Sequence, residues 1–290
     1  MDPQSAVLRA RRFVRDVNDP SIPVSLELYA QAANARIRSQ SLSEDEAGFT
    51  IPRGDGSHVI TTNANDADER QRFTVCHEIA HIVLGLPSRH DVVPLWAYAK
   101  RDPNERLCDE FAAELLMPYA AWTDRSSRRE AGQATIESLM SEFVVSYPVA
   151  ASRFAALAQF PCAFVTISGG VVRHIQRSTD LRRARAWVSP RSKVPDGSAA
   201  NDLRNARSTG YLERELPQDV WFEDCRSGDF LWELARHFAE FDTTTSLLWY
   251  DKEDMVEFEH DRFGREVEAD PGLEELTGEL PWPGRSKRRP

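Results

Sequence analysis

His77-Glu78-Ile79-Ala80-His81 places two imidazoles one helical turn apart and sets a carboxylate beside the first of them. Histidines at i and i+4 project from one helix face and can both bind a single tetrahedral zinc ion. A glutamate directly after the first histidine sits beside such a metal rather than on it. There it can take a proton from a water and pass it to a leaving amine. The surrounding helix is apolar almost all round: Phe73, Cys76, Ala80, Val83 and Leu84 cover one flank, and Val75, Ile79 and Ile82 the other. Such a helix is buried, and its one polar wedge then needs a charge partner or a metal. The competing reading is a core helix whose histidines are satisfied by their neighbours. With seven histidines in the chain, a chance pattern of this kind has a probability on the order of one in a hundred.

A catalytic zinc needs a third protein ligand and one open position. The segment Pro103–Pro118 reads as a second helix with three glutamates, Glu105, Glu110 and Glu114. On a helical wheel Glu105 shares the apolar stripe of Cys108, Ala112, Leu115 and Leu116, whereas Glu110 and Glu114 point away. Glu105 is therefore the expected ligand. Two alternatives stay open: Glu105 completes a capping box begun at Asp102, or Glu110 or Glu114 takes the metal. Asp109, one turn beyond Glu105, is placed to accept a hydrogen bond from a ligand imidazole. Cys108 reads as a small core residue rather than a thiolate ligand.

These residues need supporting elements. Asp66 followed by Glu69 suggests a capping box that starts the first site helix, and Gly85 and Pro87 stop it. The two site helices are expected over 67–84 and 103–117, joined by a connection that holds His90, Trp96 and Tyr98. Upstream, residues 5–40 read as two helices broken at Asp19-Pro20-Ser21-Ile22-Pro23, and 47–63 reads as strand, turn, strand. Downstream, Thr135–Phe143 and Tyr147–Ala158 form a possible helix-turn-helix joined by Val144-Val145-Ser146. Beyond Pro161, 163–167 and 244–250 read as strands, 229–241 as a helix and 189–210 as a long loop.

Arg70–His81, followed by Phe111-Ala112-Ala113-Glu114-Leu115-Leu116-Met117-Pro118, resembles the ImmA/IrrE family of metallopeptidases over roughly residues 20–160. The resemblance maps the family's third zinc ligand onto Glu105 and its Asn or Asp one turn later onto Asp109. It implies a gluzincin-type peptidase domain with an adjoining helix-turn-helix-like segment, followed in some members by a GAF-like sensor domain. It also implies cleavage of a helix-turn-helix (XRE-type) transcriptional repressor, which induces stress, DNA-damage or mobile-element genes.

The expectation is an α+β protein with a zincin-like peptidase domain at 1–125 and a helix-turn-helix-like segment at 126–160. A smaller α+β domain, GAF-like by resemblance, is expected at 161–252, and an acidic tail lacking sustained periodicity at 253–290, expected to be disordered. His77, His81 and Glu105 are the expected metal ligands, Glu78 the catalytic base, and Asp109 the support for a ligand histidine. The cofactor is one Zn2+ per chain, for which Mn2+ can substitute. The alternative is a catalytically silent, zinc-stabilised regulator that binds a repressor or DNA.

Composition narrows the setting. The net charge is −10, which opposes tight non-specific nucleic-acid binding. Tyr147–Ala158 carries Arg153 as its one basic residue, too few for a groove-reading helix, so direct DNA binding by it is not expected. The basic runs Arg125–Arg129 and Arg182–Arg185 read as solvated faces, though either could attract DNA or an acidic partner. His58, His90 and Tyr98 are near enough in sequence to stabilise an oxyanion, and nothing singles one out. There is no secretory signal, no apolar run of membrane-spanning length and no CxxC pair among Cys76, Cys108, Cys162 and Cys225, so a cytoplasmic protein with reduced thiols is expected. No residue pattern fixes a substrate-binding site or an oligomeric state.

Overall fold

Asp2 caps the first helix, α1 (Pro3–Val17), by accepting the Ser5 amide, and Asn18 in the left-handed region closes it. The computed structural model describes residues 2–87, 102–184, 186–222 and 230–250. The break after α1 is held by Asp19, whose carboxylate accepts the amides of Ser21 and Ser25. Ser25 then caps α2 (Leu26–Ala32).

Helix does not continue to residue 40, as local patterning suggested. Asn34 has a positive φ, and Ala35–Gln40 forms strand β1. This strand pairs in parallel with β3 (His58–Asn63), and β2 (Gly48–Pro52) pairs antiparallel with the other side of β3. The order β1-β3-β2 leaves β2 at an edge. Pairing with a strand more than twenty residues away outweighs the weak local preference of Arg-Ile-Arg-Ser-Gln. Gly48 gives β2 a close approach to its neighbours: a Cβ there would meet the Thr61 carbonyl and stand 2.7 Å from Thr74 Cγ2.

The two site helices form where expected, as α3 (Asp68–Leu84) and α4 (Pro103–Leu116), and they pack against each other. Gly85, at φ 67°, ends α3. The start of α3 differs from expectation. Ala67 occupies the cap position without a side-chain bond, and Asp66 pairs instead with Arg70 at 3.1 Å. Asp68 and Glu69 in the first turn still favour the positive end of the helix dipole.

Three more helices come next, α5 (Tyr119–Ser126), α6 (Gln133–Phe143) and α7 (Tyr147–Leu157). The chain then enters an antiparallel sheet of β4 (Cys162–Ser168), β5 (Val171–Arg177), β6 (Gly210–Pro217), β7 (Phe230–Phe238) and β8 (Thr243–Trp249), in the order β5-β4-β8-β7-β6. Short helices α8 (Thr179–Arg183) and α9 (Ala199–Ala206) lie between strands.

Two expectations fail in this part. Within the segment 229–241, expected to be a helix, the described residues 230–241 form a strand ending in a 3-10 turn at Ala239–Phe241. Both faces of β7 are covered: Trp232 and Leu234 join one apolar cluster, while Leu231 and Ala235 join another. A strand buried on both sides loses its alternation and mimics a buried helix. The segment 189–210 also contains a helix, α9. Ser198 caps it, and the buried Glu233 carboxylate accepts the amides of Ala199 and Ala200 at 2.8 and 3.1 Å. That anchor comes from 33 residues downstream and has no local signature.

One apolar cluster runs from Ala6 through Ile79, Phe111, Trp122 and Phe154 to Phe164 and Leu247, joining the helical region to one sheet face. A second fills the opposite face beneath α8 and α9. Met1–Met255 form one unit, and residues 251–290, with all of the expected acidic tail at 253–290, lie outside the described residues.

Candidate metal centre

α3 presents His77 and His81 one turn apart, and the first turn of α4 brings Glu105 against them. His77 Nε2 lies 2.9 Å from Glu105 Oε2 and 3.1 Å from His81 Nε2, which is itself 3.5 Å from Glu105 Oε1. Ligand atoms on a tetrahedral zinc with bonds near 2.0–2.1 Å stand about 3.3 Å apart. The three groups form the cluster among the described residues that could hold a metal ion.

The far nitrogens show which atoms are available. His81 Nδ1 is 3.2 Å from the Leu86 carbonyl, an acceptor, so this nitrogen carries the proton and donates it. His77 Nδ1 lies 3.0 Å from Asp109 Oδ1, again an acceptor. In the neutral imidazoles both Nε2 atoms therefore turn lone pairs toward the Glu105 carboxylate. Three electron-rich atoms converging in a nearly dry site repel one another unless a cation lies among them, so the donor set fits a divalent metal. Without a cation a proton takes its place. Burial disfavours the His77 imidazolium, but Asp109 and Glu105 outweigh it and raise the pKa to about 9.

Glu78 is buried on the same helix and is not among the three converging groups. Its Oε2 accepts a 2.7 Å hydrogen bond from Thr50 Oγ1 on the edge strand β2. Sequence reasoning missed Thr50. A threonine in a short strand gives no signal until β2 and α3 are known to touch. Cys108 is fully buried; burial first, then the charges of Glu105 and Asp109, push its pKa up, so it remains a thiol.

Glu114 does face away from this cluster, but not into water. It is 1% exposed, accepts the Tyr119 amide at 2.9 Å and pairs with Arg153 at 2.8 Å. Arg153 also donates to the Met117 carbonyl. The one basic residue of α7 is thus committed to the interior. Arg125 and Arg129 both pair with Glu142. His58, at the start of β3 opposite Ala35 and Pro52, is not in the metal cluster. His90, Trp96 and Tyr98 lie outside the described residues, as does Cys225.

No described helix is long and apolar enough to cross a membrane. The chain is similar in structure to a Mycobacterium tuberculosis transcriptional regulator, with a TM-score of 0.57 and 13% identity, covering 86% of this chain and 76% of that one. At that identity the likeness concerns the fold alone. No curated protein matches the sequence. The family of IrrE N-terminal-like domains, peptidase M78, matches residues 30–155, which hold β1–β3, both site helices and the converging His77, His81 and Glu105. Residues 30–155 are thus an IrrE N-terminal-like domain.

Proposed function

We propose that this protein is a zinc-dependent, site-specific endopeptidase acting in the cytoplasm on a helix-turn-helix transcriptional repressor. The observation that carries the peptidase reading is the convergence of His77 Nε2, His81 Nε2 and the Glu105 carboxylate beside a buried carboxylate that stays off the cluster. His77, His81 and Glu105 would hold the ion, with Asp109 and the Leu86 carbonyl fixing the two rings. A zinc ion held there supplies Lewis acidity toward a water and a peptide carbonyl.

The remaining steps belong to the chain. Thr50 occupies Glu78 Oε2, which leaves Oε1 as the basic atom. Glu78 takes a proton from the attacking water at that oxygen and returns it to the departing amine nitrogen. Beside it, β2 is an edge strand, able to align an extended peptide through its unshared ladder groups. The repressor as substrate rests on family resemblance, as does a sensing role for the C-terminal sheet region.

Glu78→Gln tests the reading, because it keeps shape and metal while removing the base. The variant should retain zinc as wild type does, yet cleave the repressor encoded nearest to it at least about a hundredfold more slowly. Undiminished processing by Glu78→Gln, or processing by wild type that survives a chelator, rejects the proposal.

A further inference from the structure

Against a net charge of −10, the stretch from Val171 to Lys193 holds six arginines, one lysine and one acid, Asp180, a net of +6. The fold gathers those of the described residues along one edge of the five-stranded sheet. β5 is the edge strand, and the returning chain runs along its outer side: Arg191 N donates to the Val172 carbonyl, Val172 N donates to Ser192, and Lys193 bridges Val171. α8 continues directly from the other end of β5. Arg182, Arg183, Arg191 and Lys193 are exposed, and Asp180 already pairs with Arg183.

Trp187 stands on this edge. Its neighbours Ala186 and Val188 are buried and fix the backbone, yet the indole is 51% exposed. The Arg177 guanidinium lies 4.7 Å from the ring centroid and donates to the Ala186 carbonyl. A large ring backed by a cation and held out into water is an apolar platform without an evident role in the core. A seven-residue strand is about 20 Å long, enough for several phosphates of an extended strand.

Three polyanions could meet a basic edge. An anionic membrane is engaged by an amphipathic helix, and α8 has five residues. An acidic polypeptide needs the charges but not the ring. A single nucleic-acid strand uses both, with phosphates on the guanidiniums and a base on the indole. We propose that the β5 edge, with Trp187 as a stacking platform, binds single-stranded nucleic acid. The surface is distinct from α7, whose Arg153 is turned inward, and the proposal does not depend on peptidase activity.

The test is fluorescence anisotropy of a labelled 20-mer of deoxythymidylate titrated with the full chain over a salt series. About four phosphate contacts should give a log–log salt slope near −3. Trp187→Ala should weaken binding about tenfold with little change of slope. Arg182→Gln combined with Arg191→Gln should lower the slope by about 1.4. All three positions are exposed, and an unchanged melting temperature confirms that each variant folds. The proposal is overturned by absence of binding at 50 mM salt or by binding indifferent to both variants. Tighter binding to polyglutamate or anionic vesicles overturns it, as does equal, equally Trp187-dependent binding to a duplex.

Discussion

A zinc ion entering this candidate site would have to displace a proton, and the size of that competition comes from the geometry. His77 lies within 3.0 Å of Asp109 and 2.9 Å of Glu105, and these contacts overcome burial to raise its pKa to about 9. At pH 7 the vacant site is then about 99% protonated at His77, which weakens apparent zinc affinity roughly a hundredfold. The affinity should climb about tenfold per pH unit between 7 and 9 and flatten above, with one proton released per ion bound. The sign for folding is opposite. A pKa raised above its unfolded value of 6.5 stabilises the metal-free fold below that pH, by on the order of 3 kcal/mol. That contribution is lost as the pH rises through about 9. Competition titrations with a chromophoric chelator at half-unit pH intervals, together with calorimetry in two buffers of different ionisation enthalpy, measure both the slope and the proton count. Asp109→Asn should move the break toward lower pH. A zinc affinity flat between pH 7 and 9, or a break that Asp109→Asn leaves in place, would refute the assignment of His77 as the titrating ligand.

Three further outcomes are expected. Glu105→Ala should abolish zinc retention through gel filtration, and tight binding of the ion by that variant would return Glu105 to a helix-capping role. Thr50→Val should leave zinc content unchanged while slowing cleavage about tenfold, since the hydrogen bond orients Glu78 and not the metal; an unaltered rate would mean that Glu78 needs no such positioning. Glu114→Ala should cost about 3–5 kcal/mol in urea unfolding, because it strands Arg153, whose side chain is 13% exposed. A loss below about 1 kcal/mol would show that water reaches the guanidinium.

Much of the site was legible because it lies on two helices whose periodicity is strong. α3 and α4 form within a residue of expectation, and the wheel that separated Glu105 from Glu110 and Glu114 agrees with the observed cluster. What escaped depends on contacts between distant segments. β1 is a strand because β3 lies beside it, and β7 is one because its two faces meet different clusters. α9 is secured by Glu233, and Thr50 reaches Glu78 across 28 residues. None of these carries a periodic signature. Asp66 shows the converse error, where a local motif was present but the pairing with Arg70 claimed its carboxylate.

α4 is pinned near its two ends by bonds of different kinds. At its first turn Glu105 and Asp109 face the histidines of α3; toward its last turn Glu114 grips Arg153 of α7 and the Tyr119 amide. Nine residues of helix, about 13 Å, separate the two fastenings. One is built of groups that could hold a metal ion, and the other is a buried guanidinium–carboxylate pair. The helix is therefore a strut that can be released at its histidine-facing end while its other end stays fast, so changes at the candidate metal site need not disturb the fold around α7.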